Sequence, residues 1–197
     1  MSQTIPAVES LRERKRRLVQ QRIVETADEL FAEKGFDNVS VTDIAARADV
    51  GRTTFFRYFA DKAEVVFAHE EAMLERITKF AASESVGPAH TAAEAVEQLR
   101  AIVVALCDYA SENIDGYALH YELVEKHLEL RAHDALKTQL IADRFAQLLL
   151  GRGTSEPTAV FASQVALACY QIARRRATSP SQLGAETQAA FDQLAAL

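Results

Sequence analysis

Residues 23–62, IVETADELFAEKGFDNVSVTDIAARADVGRTTFFRYFADK, hold three helical patterns separated by two tight turns. Ile23, Ala27, Leu30 and Phe31 fall at i, i+4, i+7 and i+8, one apolar face of a helix. Lys34 followed by Gly35 is a cation and then a residue suited to a left-handed cap, so the first helix should stop there. Ser40, with Asp43 three residues on, is a capping-box variant. It predicts a short second helix over about Val41–Ala48, with Ile44 and Ala45 inward. Asp49, Val50 and Gly51 make the next turn, and a third helix is expected over about Arg52–Tyr58.

Outward from this block the chain reads as helical throughout. The first helix extends back to about Leu11, and residues 1–9, without periodicity, are expected to be disordered. Asp61 is placed to cap a fourth helix reaching about Ala82, with Val66, Met73, Ile77 and Phe80 on one face. Gly87-Pro88 is the first strong break. A fifth helix over about Ala92–Asn113 carries Val96, Leu99, Val103, Leu106 and Ala110 as one stripe. Gly116 reads as a second break. A shorter helix through Tyr121 to about His127 and a longer one to Leu150 follow, with their boundary open. Gly151–Glu156 reads as a loop with Pro157 opening the next helix, which runs to Arg176. Pro180 opens the last, ending near Leu197. The expected fold is all-α, about nine helices by pattern. It divides into residues 1–9, a helix-turn-helix domain over 10–60 and a helical domain over 61–197.

Composition agrees. Hydrophobic residues make up 49%, enough for a core, while only 7 Gly and 4 Pro interrupt it. No apolar run approaches a membrane span and the N-terminus lacks a signal-peptide pattern, which predicts a cytoplasmic protein with no membrane partner. Cys107 and Cys169 are isolated and read as small buried apolar residues. The net charge of −6 is unevenly spread. Residues 1–62 carry 11 Lys/Arg and 10 Asp/Glu, whereas 63–197 carry 11 and 18. Within 12–22, six cations face only Glu13. Local positive charge of this kind suits a phosphate backbone, and the acidic remainder should turn away from it.

Two short helices joined by a turn, behind a longer one, are the layout that places a recognition helix in the DNA major groove. At Arg52 the block is identified as resembling the tetracycline-repressor (TetR) family over residues 18–65. Matching positions include Ile23, Ala27, Leu30, Phe31, Gly35, Phe36, Val39, Ser40, Ile44, Ala45, Val50, Thr54, Phe55, Arg57, Tyr58, Phe59, Lys62 and Val65. Thr42, in the first turn of the second helix, is suited to a phosphate. Arg52, Thr53 and Thr54 begin the third helix, where Arg52 fits a guanine edge and the threonines a thymine methyl or a phosphate. The resemblance implies backbone contacts from Tyr58 and Lys62, and Arg57 can meet base or phosphate. Arg14 and Arg17 represent the basic run, which follows DNA or is simply a solvated helix face. Three positions depart from the family pattern: Asp49 for Gly, Gly51 for Ser, and Phe56 for Tyr, which forfeits a hydroxyl at a DNA-facing position.

The resemblance further implies a C-terminal pocket for a small-molecule effector and a homodimer built from the last two helices. Tyr109, Tyr117, His120, Tyr121 and Phe145 are the candidate pocket residues. Phe161, Val165, Ala168 and Ile172, with Leu183, Phe191 and Leu194, are the candidate dimer residues, and small residues such as Ala159, Ala162, Ser163 and Ala166 would permit close approach. The Phe-Phe-Arg-Tyr-Phe run at 55–59 resembles a subset of the family that includes acyl-coenzyme-A sensors, so an acyl-CoA or other apolar effector is implied. Double-stranded DNA, a second copy and this effector are the expected partners; no cofactor, metal or catalytic residue is expected. His69-Glu70 begins like a zinc-protease helix, but Met73 stands where the second His belongs. His120 and His127 lie about 10 Å apart along a helix, too far for one metal. The expected role is a ligand-responsive regulator, a repressor released by its effector; the alternative is an architectural or activator DNA-binding protein without an inducer.

Overall fold

A computed structural model describes residues 10–68, 86–110 and 114–196; the side chains of 109, 110, 114 and 115 are outside it. Among the described residues the fold is entirely helical, with nine α-helices and two 3-10 turns. In chain order these are α1 (Leu11–Lys34), α2 (Val41–Arg47), α3 (Arg52–Phe56), α4 (Lys62–Val66), α5 (Ala92–Ala110), α6 (Ile114–Lys126), α7 (Leu128–Gly151), α8 (Glu156–Arg176) and α9 (Leu183–Ala195). The 3-10 turns are Phe36–Asn38 and Pro180–Gln182. The chain forms two compact units that divide between Ala68 and His69. Residues 69–85, including Met73, Ile77, Phe80 and the His69-Glu70 pair, lie outside the described residues.

In the N-terminal unit each helix end has a local cause. Ser10 and Glu13 form a reciprocal capping box at the start of α1, and Ser40 and Asp43 form another at α2. Gly35 ends α1 at φ 76°, and its N–H donates to Phe31 O at 2.9 Å. An L side chain is strained there. Asp49 makes the turn before α3 at φ 52°, the left-handed conformation that aspartate tolerates better than most residues. Ile23, Leu30, Phe31, Phe36, Ile44, Phe55 and Val65 are buried together as α1 packs on α2 and α4, and α2 on α3. The sequence-based boundary at residue 60 leaves Lys62–Val66 with the C-terminal part. Ala63, Val65 and Val66 are instead buried in the N-terminal unit, because α4 packs against α1.

In the C-terminal unit α8 is the central helix, packed against α5, α7 and α9. Its small residues Ala159, Ala162, Ser163, Ala166 and Ala173 form the buried face and let three neighbours approach. They serve packing within the subunit, contrary to the expected role between subunits. Gly116 does not break the chain; it lies in the first turn of α6. The boundary left open in the sequence falls at His127, whose extended backbone (φ −116°, ψ 117°) separates α6 from α7.

Candidate DNA-binding site

Phe55 anchors α3. Its ring is fully buried and lies 5.8 Å from Phe59 and 5.6 Å from Phe56. With Phe55 inward, Arg52 and Thr53 are exposed and Thr54 is half-buried on the first turn. Gly51 caps the helix with no side-chain hydrogen bond; Thr54 N–H and Phe55 N–H donate to its carbonyl at 2.8 and 3.0 Å, which leaves the amides of Arg52 and Thr53 to outside acceptors. Arg52 lies over the exposed Phe56 ring at 5.9 Å. Arg57 lies over the ring of Tyr58 at 5.4 Å, and Arg16 of α1 over the same ring at 6.0 Å. Thr42 is exposed in the first turn of α2. Beside it Asp43 is turned back onto Ser40, whose side-chain and backbone hydrogen bonds hold the carboxyl below its usual range. Arg14 and Arg17 are exposed on α1. Arg47 bridges α2 to α1 through a two-pronged contact with Glu33 at 2.7 and 2.8 Å.

Lys62, expected to contact the DNA backbone, is also engaged within the unit. Its Nζ donates to Phe36 O at 2.7 Å and to Val39 O at 3.0 Å, and sits 4.2 Å from the Phe36 ring centroid. Two of its three N–H bonds thus tie α4 to the 3-10 turn. Replacing Lys62 with methionine keeps the stem and loses both bonds. The expected loss of stability is about 1.5–3 kcal/mol, read by hydrogen exchange of residues 23–59, with DNA binding falling equally on all sequences. Unchanged protection with weakened binding would place the work of Lys62 on DNA instead.

The second unit contains a cavity of about 30 Å³ between α5, α6, α7, α8 and the start of α9. Tyr117, Tyr121, Phe145 and Tyr170 supply its rings, Cys107 and Thr138 its small polar groups, and aliphatic side chains the remainder; none of the lining residues is charged. The Tyr121 and Tyr170 hydroxyls are 3.1 Å apart. Behind them Arg174 lies over the Tyr121 ring at 4.8 Å and reaches both carboxylate oxygens of Asp134 at 2.9 Å. Three of the five expected pocket residues, Tyr117, Tyr121 and Phe145, are therefore together. His120 is buried and stands edge-on to Tyr121 at 5.2 Å without lining the cavity. The side chain of Tyr109 is outside the described residues.

Burial pushes the Cys107 thiol up to about 11, against an opposing contact with Thr187 Oγ1 at 3.3 Å. Burial also holds the Tyr170 hydroxyl well above its usual value. Both groups keep their protons more tightly folded than unfolded. Stability should therefore be complete below the ordinary thiol value of 9.0 and fall as pH rises through 11. For Cys107 the loss is on the order of 3 kcal/mol. Urea midpoints between pH 8 and pH 11 measure it, and Cys107→Ala should flatten that curve in part. An unchanged slope in the variant would remove Cys107 as the source.

The sequence profile of the bacterial regulatory proteins, tetR family, matches residues 23–68. The HTH-type transcriptional regulator TcmR of Streptomyces glaucescens is 31% identical over 158 residues, spanning 77% of this chain and 67% of that protein. The chain belongs to the TetR family. It is a DNA-binding transcriptional regulator. The TetR-type fold extends beyond the matched segment. A putative TetR-family regulator from Syntrophomonas wolfei superposes with a TM-score of 0.65 over 92% of this chain and 96% of its own, at 17% identity. Thermus thermophilus FadR, solved in complex with lauroyl-CoA, superposes with a TM-score of 0.55 over 89% of this chain and 92% of its own, at 22% identity.

Within this TetR-family chain the expected dimer residues separate into two groups. Phe161, Ala168 and Ile172 are exposed on α8 and Val165 is half-buried. Leu183 and Phe191 are each 2% exposed and belong to the subunit's own core, with Leu194 packed against it. They do not form an outer surface, because α9 presents them to α5 and α8. The sequence reading missed Arg16 beside Tyr58, Tyr170 in the cavity wall and the Asp134–Arg174 pair. A signal existed for Tyr170, the one aromatic residue among the small residues of 162–173, four positions before Arg174.

Proposed function

We propose that the protein is an effector-released repressor that acts in the cytoplasm as a homodimer on an operator of two inverted half-sites. The observation that supports this most is the first turn of α3: Arg52 and Thr53 stand exposed on a helix anchored by the fully buried Phe55. Arg52 forks onto a base edge, and Thr53 and Thr54 meet a thymine methyl or a phosphate. Thr42, Arg57, Tyr58 and the remaining N–H of Lys62 position the backbone, and Phe56 packs beside Arg52. The N-terminal unit, which ends at Ala68 and so includes Lys62, forms the reading part, and the second unit the sensing and dimerising part. The dimer uses the exposed side of α8, where Phe161, Val165, Ala168 and Ile172 lie on one flank.

The effector is an apolar small molecule. The uncharged, aromatic lining of the cavity supports this, as does the lauroyl-CoA bound by the Thermus thermophilus protein of the same fold. Because the cavity holds no more than a few waters, an effector must part its lining helices. Release of DNA follows only if the effector binds the DNA-incompetent conformation more tightly than the competent one.

Sequencing the fragments that the purified protein captures from sheared genomic DNA, at near-physiological salt, tests the regulator reading. A few enriched sites sharing an inverted repeat are the expected result; uniform recovery would favour an architectural binder. Arg52→Ala is then expected to lose about 1–3 kcal/mol on the recovered operator and much less on random duplex. Equal losses on both would contradict base reading by Arg52.

A further inference from the structure

The arginines divide by their partners. Arg47, Arg100 and Arg174 each hold a carboxylate, those of Glu33, Asp192 and Asp134. Among the described residues of the N-terminal unit Arg12, Arg14, Arg16, Arg22, Arg52 and Arg57 all lack an ion pair, so position rather than pairing separates them. Arg16 and Arg57 nevertheless converge, one from α1 and one from just after α3, on the single ring of Tyr58 at 6.0 and 5.4 Å. Two cations gathered at one ring repel each other, and an anion seated between them would reverse the sign of that interaction.

The geometry of α1 extends this cationic site in one direction. The capping box of Ser10 and Glu13 makes the chain helical from Leu11, yet every residue of 11–18 is exposed. Ile23, Ala27 and Leu30 form the buried face further along. At about 100° per residue, Arg12 and Arg16 lie within about 20° of Ile23, whereas Arg14 points about 180° away. The face that is hydrophobic over 23–31 therefore leaves the packed unit and continues as a cationic face. At about 1.5 Å per residue, Arg12 lies about 6 Å beyond Arg16 and about 16 Å beyond Ile23.

We infer that Arg12 and Arg16, with Tyr58 and Arg57, form a phosphate track that grips duplex DNA beyond the base pairs read by α3. The inference rests on the DNA-binding reading above and goes beyond it. It assigns the grip to Arg12 and Arg16, sets Arg14 on the outer side, and makes flanking duplex part of the recognised site although its sequence is not read. Each phosphate engaged releases condensed counterions, so the track acts through salt-dependent affinity.

The test uses the full chain and the operator recovered by genomic capture, prepared in two duplexes. One is trimmed to the inverted repeat, and the other carries about ten further base pairs on each side, roughly one helical turn. Dissociation constants of wild type, R12Q/R16Q and R14Q are measured from about 50 to about 200 mM salt. Wild type and R14Q should bind the longer duplex about tenfold more tightly than the trimmed one, and R12Q/R16Q should lose that gain. Its log–log salt slope on the longer duplex should be shallower by about 0.9 for each phosphate that the variant no longer neutralises. Equal behaviour of R12Q/R16Q and R14Q, or no gain from the flanks in wild type, overturns the track while a retained operator preference leaves the regulator reading standing. Absence of any sequence preference in wild type overturns both.

Discussion

Phe55→Ala is expected to abolish DNA binding on operator and random duplex alike, by unfolding the N-terminal unit. Phe55 is fully buried beneath Arg52–Thr54, and its ring meets Phe59 at 5.8 Å. Removing a buried phenyl group costs about 3–5 kcal/mol in lost transfer energy and residual cavity. A unit of this size has about 3–9 kcal/mol of stability in total, so the loss consumes much or all of it. Hydrogen exchange should show loss of protection over 23–59. The contrast with Arg52→Ala is the diagnostic: that exposed substitution should leave protection intact and change only sequence preference. A Phe55→Ala protein that keeps its protection and still binds random duplex would show that α3 is held by something other than this ring.

Asp134→Ala should cost about 3 kcal/mol, the low end for breaking a buried ion pair, because Arg174 keeps 21% side-chain exposure. Asp134 is 12% exposed and takes Arg174 Nη1 on both carboxylate oxygens, joining α7 to α8 behind the Tyr121–Tyr170 wall. Its loss leaves the Arg174 guanidinium without a carboxylate partner among the described residues, beside the Tyr121 ring and Tyr170. The double replacement Asp134→Leu with Arg174→Met removes both charges and should recover most of the stability, since no uncompensated ion remains. Urea unfolding of the single and double variants, followed by circular dichroism, measures both. A double variant as unstable as the single one would mean that packing by the Arg174 stem, rather than its charge, is what matters.

The contrast between these two sites follows how far each can be read from local pattern. The N-terminal unit is built from short-range signals: Ser10 to Glu13, Ser40 to Asp43, Lys34 to Gly35, and an apolar face repeating within one or two turns. Each interaction spans a few residues, so α1, α2 and the inward Ile44 and Ala45 are visible in the string, whereas the burial of Phe55 was not read from it. The left-handed backbone at Asp49, φ 52°, was legible only through the family resemblance, which has glycine there; backbone freedom alone points to Gly51, which instead sits at φ −72°. Lys62 was legible as a position but not as a clamp, because its acceptors, Phe36 O and Val39 O, lie 26 and 23 residues away.

In the C-terminal unit the same periodicity marked helices but not their neighbours. An apolar stripe shows that a helix has something to bury and is silent on what it is buried against. Leu183 and Phe191 were therefore read as a surface for a second subunit; packing of α9 on α5 and α8 places them in the subunit's own core. The small residues of α8 carried the same ambiguity and resolved the same way. The cavity is a still more remote property, since its walls come from residues as far apart as Val103 and Leu183. The sequence alone determined the all-helical class, the helix-turn-helix and its exposed first turn of α3, because caps, turns and periodicity act over a few residues. Only the tertiary structure decided which apolar faces are internal, which arginines are paired and which side chains enclose the cavity, because those depend on helices meeting across tens of residues of chain.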